Sequence, residues 1–319
     1  MSGNLPWNNT SKPLMLAPMQ GITNRGLRAV FSEWVKPDVI FSEFIRVRPG
    51  AKKALSQTDL LEVTDRGISL PFVAQLIGRD RQALLAAADA VQNAGVKHLN
   101  INMGCPFGRM NERSAGGALL KEPAGMEEIL QSLRKQVSGS LSIKMRAGYE
   151  DQMQIFSLLP LFEDAGIDFL VLHPRTVKQR YSGNADHTLC KRVVESTRIP
   201  LIANGDITTA DEARAVLEST GAAGLMLGRG AIGDPILFKR MRGEAPAEPS
   251  RDERAAELRY YLLKLLDYYR DIFCGDIQIL CKMKAVITYV CDANFTKHMK
   301  GLKRCKNLAK FTDLIHDIE

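Results

Sequence analysis

Short apolar runs alternate with amphipathic helical stretches through most of this chain, and that alternation restricts the fold more than any other feature. The runs cover residues 14–17, 39–41, 72–77, 98–102, 142–146, 169–173, 201–204 and 224–227. Helical spacing lies between them, as over 81–93, 125–135, 156–164 and 211–219. Short buried strands joined by helices imply parallel βαβ units. Eight such units in about 230 residues predict an α/β fold, a closed TIM (β/α)8 barrel. Thr208 and Thr209 precede Asp211 and Glu212, which reads as a helix start. Gly95, Gly166 and Gly221 each follow a helical stretch and suit a left-handed cap.

The alternation stops near residue 243. Residues 243–250 (Gly-Glu-Ala-Pro-Ala-Glu-Pro-Ser) have the composition of a linker. Beyond them, 254–271 and 277–290 show helical spacing, and 297–310 holds six basic residues and no acid. The expected organisation is a tail at 1–12, a catalytic barrel at 13–242, a linker at 243–250 and a small C-terminal helical domain at 251–319. The tail, polar but for Pro6 and Trp7, reads as a loose lead-in. It lacks the apolar stretch of a secretory signal. No run reaches the roughly 18 to 20 apolar residues that cross a bilayer. A chain working in the cytoplasm, off the membrane, is the expectation.

The net charge of +7 fits a polyanionic partner, and the acid-free run at 297–310 is where RNA would be met. Six cysteines show no C-x-x-C spacing. In a chain of this length without an export signal they read as free thiols, the late ones as core packing rather than a metal site.

Active groups of such a barrel gather at the C-terminal strand ends. The polar residues at those positions are Gln75, Asn102, Lys144 with Arg146, His173, and Asn204 with Asp206. Each alone could be a cap or an internal hydrogen bond. Together they suggest a shared polar site, because buried polar groups need partners. Gly228–Arg229–Gly230–Ala231–Ile232–Gly233 follows the last strand and suits the phosphate-binding corner of a barrel. Cys105 follows the fourth strand in Asn102–Met103–Gly104–Cys105–Pro106. It could act as a nucleophile with a base nearby, or as a general acid. The loop has no local histidine, which favours the acid role, since an ordinary thiol of pKa about 8.5 stays protonated at neutral pH.

Several motifs occur in a specific order. They are Ala17–Pro18–Met19, Ser42–Glu43–Phe44, Gln75–Leu76–Ile77–Gly78, Asn102–Met103–Gly104–Cys105–Pro106 and Gly116–Gly117–Ala118–Leu119–Leu120. Lys144–Met145–Arg146, His173–Pro174–Arg175–Thr176, Asn204–Gly205–Asp206–Ile207 and Gly228–Arg229–Gly230 follow. The ordered set resembles the tRNA-dihydrouridine synthase family, most of all its bacterial B type. The resemblance implies an FMN-containing barrel reduced by NADPH, acting on tRNA, with no metal. Pro18, Met19 and Gln20 would line the flavin ring, and Gln75 and Lys144 would hydrogen-bond it. His173 would contact the cofactor. Asn204, Gly205, Asp206, Gly228 and Arg229 would hold its ribityl phosphate. Asn102, Arg146 and Arg175 would meet the substrate. Hydride would pass from flavin N5 to uracil C6 while Cys105 protonates C5. Arg109 stands where the family often has a lysine, and Ala285 follows Lys284 where it has a histidine. A monomer is the expected state. A dihydroorotate dehydrogenase-like flavoprotein is the enzyme alternative, and an RNA-binding protein with an idle redox site is the alternative from another class.

Overall fold

The chain is described by a computed structural model covering residues 5–8, 11–64, 69–106 and 115–319. Among the described residues, nine strands form one sheet: β1 (Leu14–Leu16), β2 (Val39–Phe41), β3 (Ile45–Arg46), β4 (Phe72–Ile77), β5 (His98–Met103), β6 (Leu141–Gly148), β7 (Phe169–Thr176), β8 (Leu201–Asn204) and β9 (Gly224–Leu227). Every pairing is parallel. The β1–β9 and β2–β4 pairings close eight strands into a barrel, and β3 extends the edge of β4. Each run read from the sequence is a strand. β7 passes Pro174, which reads as a stop because proline lacks an N–H. Its pairing with β6 shifts register between Arg146 and Gly148, so Pro174 sits at the irregularity, where a ladder bond is not needed. Gly95, Gly166 and Gly221 all take positive φ. Thr209 caps the helix Ala210–Thr220 in a reciprocal arrangement with Glu212.

Side chains alternate across the barrel wall. The outer faces join the helices in the main core. Met15, Ala17, Val39, Phe41, Val73, Phe169, Val171, Ile202 and Met226 form a separate cluster inside the barrel. Leu5 and Trp7 pack onto this cluster, with the Trp7 ring edge-on to Phe169 at 4.9 Å. Of the stretch expected to be loose, Leu5 and Trp7 therefore pack against the barrel interior; the aromatic body of Trp7 finds apolar surface there. Toward β4, β5 and β6 the interior turns polar, with Gln75, Asn100, Asn102 and Ser142 buried.

Four helices follow the barrel: Arg251–Ile272, Asp276–Ile287, Thr296–Arg304 and Leu308–His316. The first begins at 251, earlier than its apolar spacing suggests, because Ser250 and Glu253 cap it reciprocally. The basic run is split between the last two, where Asn307 caps the second. These helices sit close against the barrel. A Cβ on Gly26 would meet Ile272 at 2.8 Å, and one on Gly233 would meet the Tyr289 carbonyl at 2.3 Å. Arg254 is buried and donates to Asp234, Asp292 and the Gly233 carbonyl. Among the described residues, no helix is long and apolar enough to cross a membrane.

Candidate active site

A cavity of about 870 Å³ opens at the C-terminal ends of the strands. Of the sequence candidates, Pro18, Met19, Lys144, His173, Asn204, Gly205, Asp206, Gly228 and Arg229 line it. Gln20 is exposed and Gln75 is fully buried, and neither is part of its wall. Its far side reaches Tyr289 and Asn294 of the helical region. Beside Gly228 begins the short helix Arg229–Gly233, whose first amides have no intrahelical acceptor.

The electrostatics centre on cations. Lys144 Nζ donates to Asn204 Oδ1 at 3.0 Å, and Asn204 in turn donates to the Met226 carbonyl. Burial, with Arg146 nearby, lowers Lys144 to about 8. His173 is pushed down to about 2 by burial and by Lys144, Arg146 and Arg175. It is therefore neutral at working pH. Arg175 Nη1 lies 2.9 Å from His173 Nε2, and arginine only donates, so the proton is assigned to Nδ1. Arg175 also grips both carboxylate oxygens of Asp206 and the Ser182 and Gly183 carbonyls. Burial would raise Asp206; hydrogen bonds from Arg175 and the Ala185 amide, with the charge of Arg229, outweigh it and hold Asp206 low.

Cys105 is half-buried on a turn fixed from several sides. Asn102 Oδ1 accepts from the Gly104 and Cys105 amides at 3.1 and 3.0 Å. The Gly117 amide donates to the Cys105 carbonyl at 3.2 Å. Arg146 Nε donates to the Gly104 carbonyl at 3.1 Å, and its Nη1 to the Thr176 and Arg180 carbonyls. Cys105 lies near enough to Lys144 and Arg146 to interact with both. Arg109 lies outside the described residues.

Gln75, Asn102, Arg146 and Arg175, expected to touch cofactor or substrate, are outside the residues lining this cavity, as is Cys105; Asn102, Arg146 and Arg175 hydrogen-bond to the protein. A buried polar group first satisfies itself locally, which strand-end position alone does not reveal. Residues without a part in the sequence reading also emerge. Tyr181 lines the cavity, with the guanidinium carbons of Arg146 and Arg229 5.4 and 4.8 Å from its ring centre. Asn100 and Ser142 sit one inward step below Asn102 and Lys144. Their period-two spacing was the available signal. Among the described residues, no group of three or more His, Cys, Asp or Glu could hold a metal.

Comparisons with known proteins agree with this arrangement. The dihydrouridine synthase (Dus) family model matches residues 15–309. The chain is 32% identical over 263 residues to tRNA-dihydrouridine synthase B of Pasteurella multocida, covering 80% of this chain and 78% of that protein. It is 37% identical over 231 residues to tRNA-dihydrouridine synthase B of Vibrio cholerae, covering 72% and 70%. In fold it resembles an old yellow enzyme homologue from Zymomonas mobilis, with a TM-score of 0.56 at 15% identity over 77% of this chain and 93% of that one. Morphinone reductase gives 0.54 at 14% identity over 75% and 88%. With a family match across almost the whole barrel and into the last helix, this chain belongs to the dihydrouridine synthase family.

Proposed function

We propose that this protein reduces a uridine of tRNA to 5,6-dihydrouridine, with FMN held in the barrel-mouth cavity, NADPH as reductant and Cys105 as proton donor. The observation that carries the reading is the Lys144 ammonium on the cavity wall with the Cys105 turn beside it. Bound in this cavity, FMN would supply the hydride for C6 of the base, with NADPH as the source of its electrons.

The residues present fit such a group. Lys144 is a buried cation whose hydrogen bond among the described residues goes to a neutral amide. Arg229 shares Asp206 with Arg175, leaving this corner cationic. A ligand bearing negative charge recovers the solvation these cations lose. Gly228 puts no side chain between the wall and a phosphate. Pro18 and Met19 offer apolar surface to a planar ring.

Reducing the C5–C6 double bond requires a proton at C5 as well. Cys105 delivers it from Sγ, and solvent restores the thiol. The turn is fixed by hydrogen bonds from several sides, so a base brought to that sulfur would leave little ordering for the reaction itself. The base has to leave its stack to reach this depth, at a cost of a few kcal/mol. Lys297, Lys300, Lys303, Arg304, Lys306 and Lys310 are all exposed on the helical region and can offset that cost through phosphate contacts. A monomer is taken as the working unit, and the substrate would place it in the cytoplasm.

The test is genetic. Delete the gene, map dihydrouridine in tRNA and ribosomal RNA, and complement with wild type or Cys105→Ala. Loss at a defined position, restored by wild type alone, supports the reading. Unchanged dihydrouridine at every position in both RNA pools refutes it.

A further inference from the structure

Beneath the Cys105 turn runs a chain of buried side-chain hydrogen bonds with one direction. Ser142 Oγ donates to the Leu99 carbonyl at 3.1 Å, so its lone pairs are free to accept from Asn100 Nδ2 at 2.8 Å. Asn100 Oδ1 accepts from Gln75 Nε2 at 2.8 Å. Gln75 Oε1 accepts from Asn102 Nδ2 at 2.8 Å. That leaves Asn102 Oδ1 facing the Gly104 and Cys105 amides. Register explains the assembly. Asn100 pairs with Gln75 on one side and Ser142 on the other, and all three point into the barrel. Ser142, Asn100 and Gln75 are 0% exposed and Asn102 is 8% exposed.

We infer that Ser142 and Asn100 are positioning residues for the reaction: through Gln75 they fix the amide of Asn102, and so the place of the Cys105 thiol. The inference rests on the reading of Cys105 as proton donor. An amide can rotate by half a turn at little cost in shape, exchanging donor for acceptor. Here no member can do so alone. A turned Asn100 would set its donor against Gln75 Nε2. Gln75 would have to turn in response, then Asn102, and Asn102 Nδ2 would then confront two backbone N–H groups. Buried donors facing donors lose about 1–3 kcal/mol each. The polarity is held at one end by the Ser142 hydroxyl and at the other by the turn it serves. Neither Ser142 nor Asn100 lines the cavity. Their influence on the reaction therefore runs through the network and not through contact with substrate or cofactor.

The grip on the turn is closed from above. Arg146 holds the Gly104 carbonyl, and Gly117 holds that of Cys105. Gly104 itself has no room for a side chain to shift into, since a Cβ there would lie 3.2 Å from the Met145 carbonyl carbon. Loosening Asn102 from below removes the only side-chain acceptor that the Gly104 and Cys105 amides have among the described residues.

The test uses flavin-loaded full-length enzyme and unmodified tRNA, with Asn100→Leu, Ser142→Ala and Ser142→Thr. Flavin content, tRNA kinetics and the rate of iodoacetamide labelling at Cys105, resolved by peptide mass spectrometry over pH 7–9.5, are measured for each. Asn100→Leu and Ser142→Ala are expected to lower kcat about tenfold to a hundredfold while KM for tRNA stays within about twofold. The pH profile of Cys105 labelling moves with kcat. Ser142→Thr keeps the hydroxyl and restores both. Wild-type kcat and labelling in Ser142→Ala and Asn100→Leu would overturn the inference. So would activity that falls only in step with lost flavin or lost folding, without rescue by threonine. Should the wild type itself make no dihydrouridine, it is the reading of the function that fails; the labelling comparison still decides whether the network sets the thiol.

Discussion

Arg175 holds Asp206 as a fork holds a carboxylate, with Nη1 at 3.0 Å from Oδ1 and Nη2 on Oδ2, while the same Nη1 meets His173. One guanidinium thus fixes both the neutral imidazole and the acid that anchors Arg229. Lysine keeps the charge but cannot reproduce this planar geometry. Arg175→Lys is expected to lose about 1–2 kcal/mol of stability and to purify with reduced flavin. Thermal unfolding and the flavin-to-protein absorbance ratio measure both.

Cys105→Ala removes the proposed proton donor and leaves the turn, whose bonds are all to the backbone. Dihydrouridine formation should fall by about a hundredfold or more, with flavin content and tRNA affinity unchanged. Single-turnover kinetics with pre-reduced enzyme isolates the step. Equal rates in the two proteins would remove Cys105 from the mechanism.

Lys144 links cofactor retention to pH. Its ammonium, lowered to about 8, attracts an anionic ligand only while protonated. Flavin affinity should therefore be level below pH 8 and weaken above it, and Lys144→Arg should abolish the change. Flavin fluorescence in filtrates across pH 7–10 reports it.

Glu43 links stability to pH in the opposite manner to a surface acid. Its Oε2 accepts from the Gly21 amide at 2.8 Å, while Oε1 has no partner among the described residues. Burial and Glu62 raise it to about 7, against the Gly21 hydrogen bond and the charges of Lys282 and Arg28. A raised carboxyl holds its proton longer folded than unfolded, so stability falls as pH rises from about 4.5 to about 7 and is then level. The full effect is at most about 3 kcal/mol. Glu43→Gln should flatten that window in urea titrations at successive pH values.

The basic face should act on binding alone. Lys300→Ala with Lys303→Ala is expected to raise KM for tRNA several-fold and lessen its salt sensitivity, with kcat unchanged. A change confined to kcat would place these lysines elsewhere in the mechanism.

The barrel was legible because hydrophobic alternation and glycine caps are local signals; strands 72–77, 39–41, 201–204 and 224–227 fall on the runs read from the sequence. The cavity wall was legible because Lys144, His173, Asn204 and Asp206 sit at strand ends. What sequence position could not tell is which polar ends face the cavity and which face one another. Gln75 and Asn102 occupy the same kind of place as Lys144 and Asn204, and each pair is hydrogen-bonded, yet only Lys144 and Asn204 also line the cavity. Trp7 was missed for a related reason. A lone aromatic in a polar stretch carries no period, and its partner Phe169 is distant in sequence.

The seating of the helical region on the barrel makes the molecule a measuring instrument. With Gly26 pressed beneath Ile272, Gly233 beneath Tyr289, and Arg254 bonded to Asp234 on one side and Asp292 on the other, there is no slack between the two. The span from the exposed lysines to the Cys105 sulfur is a constant. On the proposed reading, an RNA laid along those lysines would offer its bases to the barrel at one fixed reach, and the nucleotide to be modified would be chosen by its distance along the folded RNA rather than by the letters on either side of it.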